Sequence, residues 1–162
     1  MIWAMDPTDI EIAPLLDAQP SRLLSQVALM VTRSTAQALE RLDAHRNHFA
    51  VLATLRAFGP QSQAELSRRT GVDRSDIVAA IDQLERDKTV SRAVDPTDRR
   101  QNIITLTSVG EARLEELAGV LERAQAAAFA PLSQTEMADL VSMLGRLREH
   151  HRRRVGDDAG TS

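Results

Sequence analysis

Residues 62 to 107 read SQAELSRRTGVDRSDIVAAIDQLERDKTVSRAVDPTDRRQNIITLT, and the fold is decided by this stretch. Ser62 stands three residues before Glu65, the spacing at which a hydroxyl and a carboxylate cap the free amides of a helix start reciprocally. The helix begun there is expected to stop at Gly71, which takes the left-handed conformation at no steric cost, and Asp73 offers a fresh N-cap for the next helix. Two helices thus meet across a short corner. In the second, Ile77, Ala80, Ile81 and Leu84 fall at i, i+3, i+4 and i+7 and form one apolar stripe, while Arg74, Ser75, Asp76, Ala79 and Gln83 lie elsewhere on its surface. One face packs and another stays free. Beyond it, Val90, Arg92 and Val94 alternate with their neighbours, as do Ile104 and Leu106, and the polar, proline-containing run DPTDRRQN between them reads as a loop. Helix, corner, helix and a charged hairpin with a basic tip make a winged helix-turn-helix.

Working outward, residues 1 to 20 carry three prolines and the scattered apolar side chains Trp3, Ile10, Ile12, Leu15 and Leu16 without sustained helical period. They read as an arm, either packed on a second subunit or loose. From Ser21 the pattern turns helical, with Leu24, Val27, Ala28, Val31, Thr35, Ala38 and Leu42 repeating at spacings of three and four. A shorter helix follows from about Asn47 to Phe58 and is ended by Gly59 and Pro60. On the other side of the hairpin, Ser108 and Glu111 repeat the capping-box spacing and start a helix that places Leu114, Leu117, Leu121, Ala124 and Ala128 on a near-heptad stripe ending before Pro131. Ser133 and Glu136 do the same for a last helix that should bury Met137, Leu140, Val141, Leu144 and Leu147 and finish in the basic run HHRRR.

The expected class is mainly α, an α+β winged helix of six helices with a two- to three-stranded β-wing, in which the N- and C-terminal helices form a dimerisation region. The expected organisation is an arm over 1–20, a helical dimerisation region over 21–58 and 108–154, the winged helix-turn-helix over 59–107 and a flexible tail over 155–162. Long amphipathic helices at both ends of a small winged domain exceed what one chain can cover, so pairing with a second copy is the economical solution. Composition agrees with a helical core. The 162 residues are about one domain's length, hydrophobic content is 43%, and aromatics are only 2%, so Leu, Val, Ile and Ala must build the interior.

DRSDIVAAIDQLE followed by DPTDRRQNIITLTSVGE closely resembles the MarR family of winged-helix repressors, whose usual run is D-R-S-x-V, L-E, D-P-x-D-R-R and L-T-x-x-G. With the flanking helical segments, the resemblance covers roughly residues 22 to 150. It implies a dimeric transcription factor, most often a repressor, that binds a pseudo-palindromic operator in double-stranded DNA and is released by a small aromatic or phenolic ligand. The formal charge of −3 and pI near 5.8 speak against nucleic acid as a partner, and residues 62 to 107 hold as many acids as bases. Local placement outweighs that sum, because Arg99 and Arg100 share the wing tip whereas Asp82 and Glu85 sit beyond the helix end that would enter a groove.

The residues expected at DNA are Ser62, Arg74, Ser75, Asp76, Lys88, Asp98, Arg99 and Arg100. Arg100 resembles the family's minor-groove arginine and Asp98 the acid that orients it, since an arginine fork needs a carboxylate and narrow grooves concentrate negative potential. Two departures stand out. Ala79 lies where family members often carry arginine, which shifts specificity toward Arg74 and groove shape, and Lys88-Thr89 replaces the preferred Gly-Leu at the helix exit, where lysine tolerates the left-handed conformation less well. A module that binds a protein instead of DNA is the rival reading of the same geometry.

No cysteine is present, which excludes a disulfide, a thiolate metal site and a cysteine redox switch. His45 and His48 stand about one helical turn apart and His150 and His151 lie on the last helix, so a zinc-sensing regulator is a second rival. Against it, there is no H-E-x-x-H run and adjacent histidines on a helix point apart. No metal, cofactor or catalytic residue is therefore expected, and nothing resembles a nucleophile-base-acid set or a phosphate-binding glycine loop. His48, with Arg46 beside it, is the expected polar anchor of a ligand cleft with apolar walls. No stretch approaches the roughly 20 apolar residues that span a bilayer, and the N-terminus is acidic before any apolar run. A soluble cytoplasmic protein is the expectation.

Overall fold

The computed structural model describes residues 14–96 and 98–159. The chain divides into two compact units, residues 1–124 and 125–162. In the first, one helical turn, α1 (Pro14–Asp17), falls within the expected arm, and residues 1–13 lie outside the described ones. Helix α2 (Pro20–Glu40) opens with proline at its first position, where the missing amide costs nothing. It closes on a compact turn in which the Ala44 amide donates back to Leu39 O over 3.2 Å and Asp43 takes φ 51°. Aspartate is one of the few side chains that accept this left-handed geometry.

Helix α3 (Arg46–Phe58) ends at Gly59, whose φ of 73° turns the chain into the two-residue strand β1 (Gln61–Ser62). Helices α4 (Gln63–Thr70) and α5 (Arg74–Arg86) follow, separated by Gly71 in the left-handed conformation. Ser62 caps α4 as expected, its hydroxyl accepting the Glu65 amide at 3.2 Å. The reciprocal half of that box is replaced: the Glu65 carboxylate pairs with Arg68 and Arg69 one turn on, where two cations outcompete an amide. Asp73 occupies the N-cap of α5 but makes no side-chain cap bond.

Strands β2 (Val90–Val94) and β3 (Asn102–Leu106) form the hairpin, and β1 adds to the far edge of β3, giving the antiparallel order β1-β3-β2 with Arg92 opposite Ile104. The third strand joins the wing to the start of α4. The next helix, α6 (Ser108–Ala128), is capped one residue earlier than the Ser108/Glu111 spacing suggests. Thr107 does the work: its Oγ1 accepts the Gly110 amide at 3.0 Å and lies 2.8 Å from Lys88 O, to which it donates. A residue that must also tie down the α5 exit wins the cap over one that faces water.

The core of this unit contains Leu39, Val51, Leu52, Leu55 and Leu66 with Ile77, Ile81, Leu84, Ile104, Leu114 and Leu117, all at 2% exposure or less. The Ile77–Leu84 stripe of α5 is buried as its spacing requires. Burying each such side chain stabilises by about 1.5–3 kcal/mol, and this core is shared between the 59–107 segment and the helices α3 and α6 beside it. By contrast Leu23, Leu24, Val27, Leu29 and Met30 of α2 are exposed.

The second unit holds the last residues of α6 and helix α7 (Gln134–Ala159). Its capping box forms as expected, the Ser133 amide donating to Glu136 Oε2 at 2.8 Å and the Glu136 amide to Ser133 Oγ at 3.3 Å. The helix runs through Ala159, past residue 154, so the expected tail is helical for most of its length. Nor does one chain bury the α7 stripe: Val141 is 62% exposed, and Leu144 and Leu147 are exposed too.

Candidate nucleic-acid interface

Three features of the local sequence place a reading surface. The buried stripe of α5 fixes its rotation, so Arg74, Ser75 and Asp76 in the first turn are exposed together at the end where backbone amides point outward. Ser62 is half-buried and its oxygen is occupied by the α4 cap, which gives it a structural duty before any contact. Lys88 adopts φ 59° despite its side chain, and is exposed at the α5 exit. The strain of that conformation is offset by the bonds around it, since Lys88 O accepts from Thr107 and the Thr89 hydroxyl donates to Leu84 O at 2.8 Å.

The hairpin tip brings Asp98, Arg99 and Arg100 together. The Asp98 carboxylate accepts from Arg100 Nε at 3.1 Å, from Arg100 Nη2 at 3.4 Å and from the Arg100 amide at 3.1 Å, while Arg100 itself is 90% exposed. That is a guanidinium aimed by a carboxylate and open to solvent. The pairing with Arg100, helped by Gln101, holds the Asp98 carboxyl below its ordinary pKa, so the clamp is charged at neutral pH. Arg99 is exposed beside it. Behind the tip, Arg92 of β2 reaches α5, where it pairs with Asp82 and has Nε 3.2 Å from Glu85 Oε2. Sequence reasoning did not single out Arg92, and its only signal is a charge at the position that alternates in step with Val90 and Val94.

His48 is buried at 6% exposure, and its Nδ1 accepts the His45 amide at 3.3 Å across the first turn of α3. Burial, and then the neighbouring His45, push its pKa below the ordinary imidazole value, which keeps the ring neutral and leaves Nε2 as the donor. The ring lines a cavity of about 360 Å³ between the start of α3 and the outer face of α5, together with Asp43, His45, Asp76, Gln83 and Arg86. Arg46 is exposed and outside this lining. Ala79 and Ala80 are the apolar part of this lining, and the rest is polar, from the exposed side of α5 and the start of α3. Among the described residues no group of three His, Asp or Glu side chains is placed to hold a metal ion. No helix among them is long and apolar enough to cross a membrane.

A family model described as the MarR family matches residues 42–101. Among solved structures, a probable transcriptional regulator from Pseudomonas aeruginosa is 29% identical with a TM-score of 0.72, over 82% of this chain and 98% of that one. Bordetella bronchiseptica BpsR, described for regulation of its DNA binding by 6-hydroxynicotinic acid, is 26% identical with a TM-score of 0.73, over 82% and 94%. Wild-type MarR from E. coli in its apo form is 26% identical with a TM-score of 0.68, over 85% and 98%. The matched segment spans α3 to the wing tip, the same elements that carry the candidate surface, and over it the chain is similar to the MarR family, as its fold is to solved transcriptional regulators of that kind.

Proposed function

We propose that the protein is a cytoplasmic homodimeric repressor, acting by binding and not by catalysis, whose hold on a pseudo-palindromic operator is broken by a small aromatic ligand. The observation that carries DNA recognition is the pairing of two exposed features on one rigid frame, the free first turn of α5 and the Asp98-oriented Arg100 at the wing tip. An α-helix fits the major groove, where Arg74 can meet a guanine edge or a phosphate, and an arginine presented on a hairpin suits the narrower minor groove beside it. Ser75, Asp76, Lys88 and Arg99 complete the contact surface, with Asp98 in the orienting role and Ser62 supporting the α4 start.

Dimerisation is supported by the exposed apolar side chains of α2 and, separately, of α7, since such rows are costly to leave wet. Two copies would set their α5 helices about one helical turn of DNA apart, roughly 34–36 Å. A ligand in the His48 cavity touches Asp76, Ala79 and Gln83 of α5 directly, and BpsR provides a relative whose DNA binding responds to an aromatic acid. To release DNA almost completely, the ligand must favour the non-binding arrangement by about 5.5 kcal/mol. Footprinting of the purified protein on the DNA flanking its own gene tests the reading. A protected segment with two related half-sites, lost on adding a phenol or aromatic acid, is the expected result; no protected segment at low salt would refute the DNA-binding role.

A further inference from the structure

Apolar packing lets go of the hairpin well before its tip. Strand β2 is the outer edge of the sheet, and on the side that carries Arg92 exposure climbs from Val90, at 2%, to Val94, at 58%. Across the hairpin Ile104 is fully buried, and it is the partner of Arg92, whereas the partner of Val94 is the polar Asn102. The short strand β1 adds nothing farther out, since it pairs with Ile103 and Ile104 alone. From the Arg92–Ile104 pair outward the wing is therefore a two-stranded ribbon, which is marginally stable by itself, and Arg100 stands at its end.

Arg92 reaches back to α5 from that last packed pair. Its Nη2 pairs with Asp82, and its Nε, buried and without a hydrogen bond of its own, faces Glu85 Oε2 as a charge at 3.2 Å. Asp82 and Glu85 stand almost one helical turn apart, so one planar fork engages two rungs of the helix and opposes both tilt and slide of the strand against it. Exposed ion pairs contribute little, but the Arg92 side chain is 24% exposed against 90% for Arg100, and it meets two carboxylates at once. We infer that Arg92 is a positioning residue: it fixes where the Asp98-oriented Arg100 stands relative to the first turn of α5. Its bearing on DNA rests on the function proposed above, and its hold on the wing does not.

The chain has no cysteine, so Ser75→Cys/Arg99→Cys puts one nitroxide on the first turn of α5 and one at the tip. Diluted into excess unlabelled chain, this protein should give one narrow distance distribution by double electron–electron resonance. Adding Arg92→Met should broaden or shift it, and Arg92→Lys, which keeps the charge but cannot span two carboxylates, should do so in part and decides the matter if Arg92→Met does not fold. The neutral triple variant Arg92→Met/Asp82→Asn/Glu85→Gln, free of repulsion between bare carboxylates, should stay broad. An unaltered distribution in the folded Arg92 variants, or a parent-like one in the triple variant, overturns the inference. On the duplex that the parent protects in footprinting, Arg92→Met should lose no more than the roughly tenfold that Arg100→Ala loses, and Arg100→Ala made on top of it should cost less than about threefold, because a misplaced arginine has little left to lose. A merely structural defect would leave the Arg100→Ala penalty intact, so losses that multiply independently refute the role in recognition. If the parent protects no duplex, the function proposed above fails, and the label distances still decide whether Arg92 sets the wing.

Discussion

Replacing Gly110 by alanine places a methyl carbon 2.0 Å from Thr89 O and 2.6 Å from Leu106 Cδ1. The leucine tip can rotate away, but the carbonyl cannot, because it belongs to the α5 exit and also accepts the Thr107 amide at 3.1 Å and the Thr107 hydroxyl at 3.0 Å. Restoring an ordinary contact of 3.4 Å therefore requires the start of α6 to retreat by about 1.4 Å, which loosens the Thr107 bonds that join α6 to the wing. Overpacking of this kind costs about 1–3 kcal/mol, and a weakened hydrogen bond about 1 more. The better helix propensity of alanine returns at most about 1 kcal/mol. A net loss of about 2 kcal/mol should lower the melting temperature by roughly 4–8 °C for a chain of this size. Gly119→Ala, the same chemical change in the same helix, meets only Arg123 Nη1 at 3.5 Å and should be neutral or stabilising by up to about 1 kcal/mol. Calorimetry of both variants supplies the comparison. If Gly110→Ala melts with the parent, or the two variants fall equally, the close approach of α6 to the α5 exit is not what fixes that glycine.

Arg100→Ala should weaken operator binding by about 1–3 kcal/mol with little change in melting temperature, since the tip is solvent-facing, while Arg74→Ala should weaken it with altered base preference; fluorescence anisotropy at fixed salt on operator variants reads both, and undiminished affinity in both would remove the groove assignments. Because burial depresses the His48 pKa, the unfolded chain binds a proton there that the folded chain resists, so stability from this group is full above about pH 6.5 and is lost as pH falls through the lower folded value. Melting curves from pH 7.5 to 5 should therefore drop more steeply for the parent than for His48→Gln, and parallel curves would contradict the buried neutral ring. Light scattering should give twice the 17.8 kDa chain mass at micromolar concentration, and a stable monomer would end the dimer reading and the palindrome with it.

The elements carried by local chemistry were legible in the sequence. Gly71 and Gly59 close helices with positive φ, the Ser133/Glu136 box forms with both its bonds, and the Ile77–Leu84 spacing predicts the buried side of α5. What escaped was set by tertiary competition. Ser108 has the right spacing for a cap, but Thr107 holds Lys88 O as well, a bond nineteen residues away that no local pattern announces. Likewise Arg92 reads as an alternating strand residue until α5 is laid beside it, and the polar lining of the His48 cavity depends on which side of α5 faces α3. Lys88 shows the reverse case: the sequence marks it as a poor left-handed residue, and it adopts that conformation because Thr107 and Thr89 secure the carbonyls around it.

The Arg92 bridge makes α5 and the wing a single mechanical body. With Asp82 and Glu85 on the helix and the guanidinium rooted mid-strand, a change in the angle between the two elements must break charged contacts that are partly shielded from water. In the proposed mode of DNA binding the head would therefore act as a fixed gauge, with the distance from the first turn of α5 to the tip at Arg100 set in the protein rather than adjusted to the DNA. One base pair inserted between the two grooves that this head spans displaces one of them by about 3.4 Å, more than a braced hairpin can follow. If the protein pairs on a two-half-site operator as proposed, tolerance for changed spacing would reside between half-sites, in whatever joins one head to another, and a new operator would be freer to alter which bases α5 meets than how far they lie from the groove under the wing.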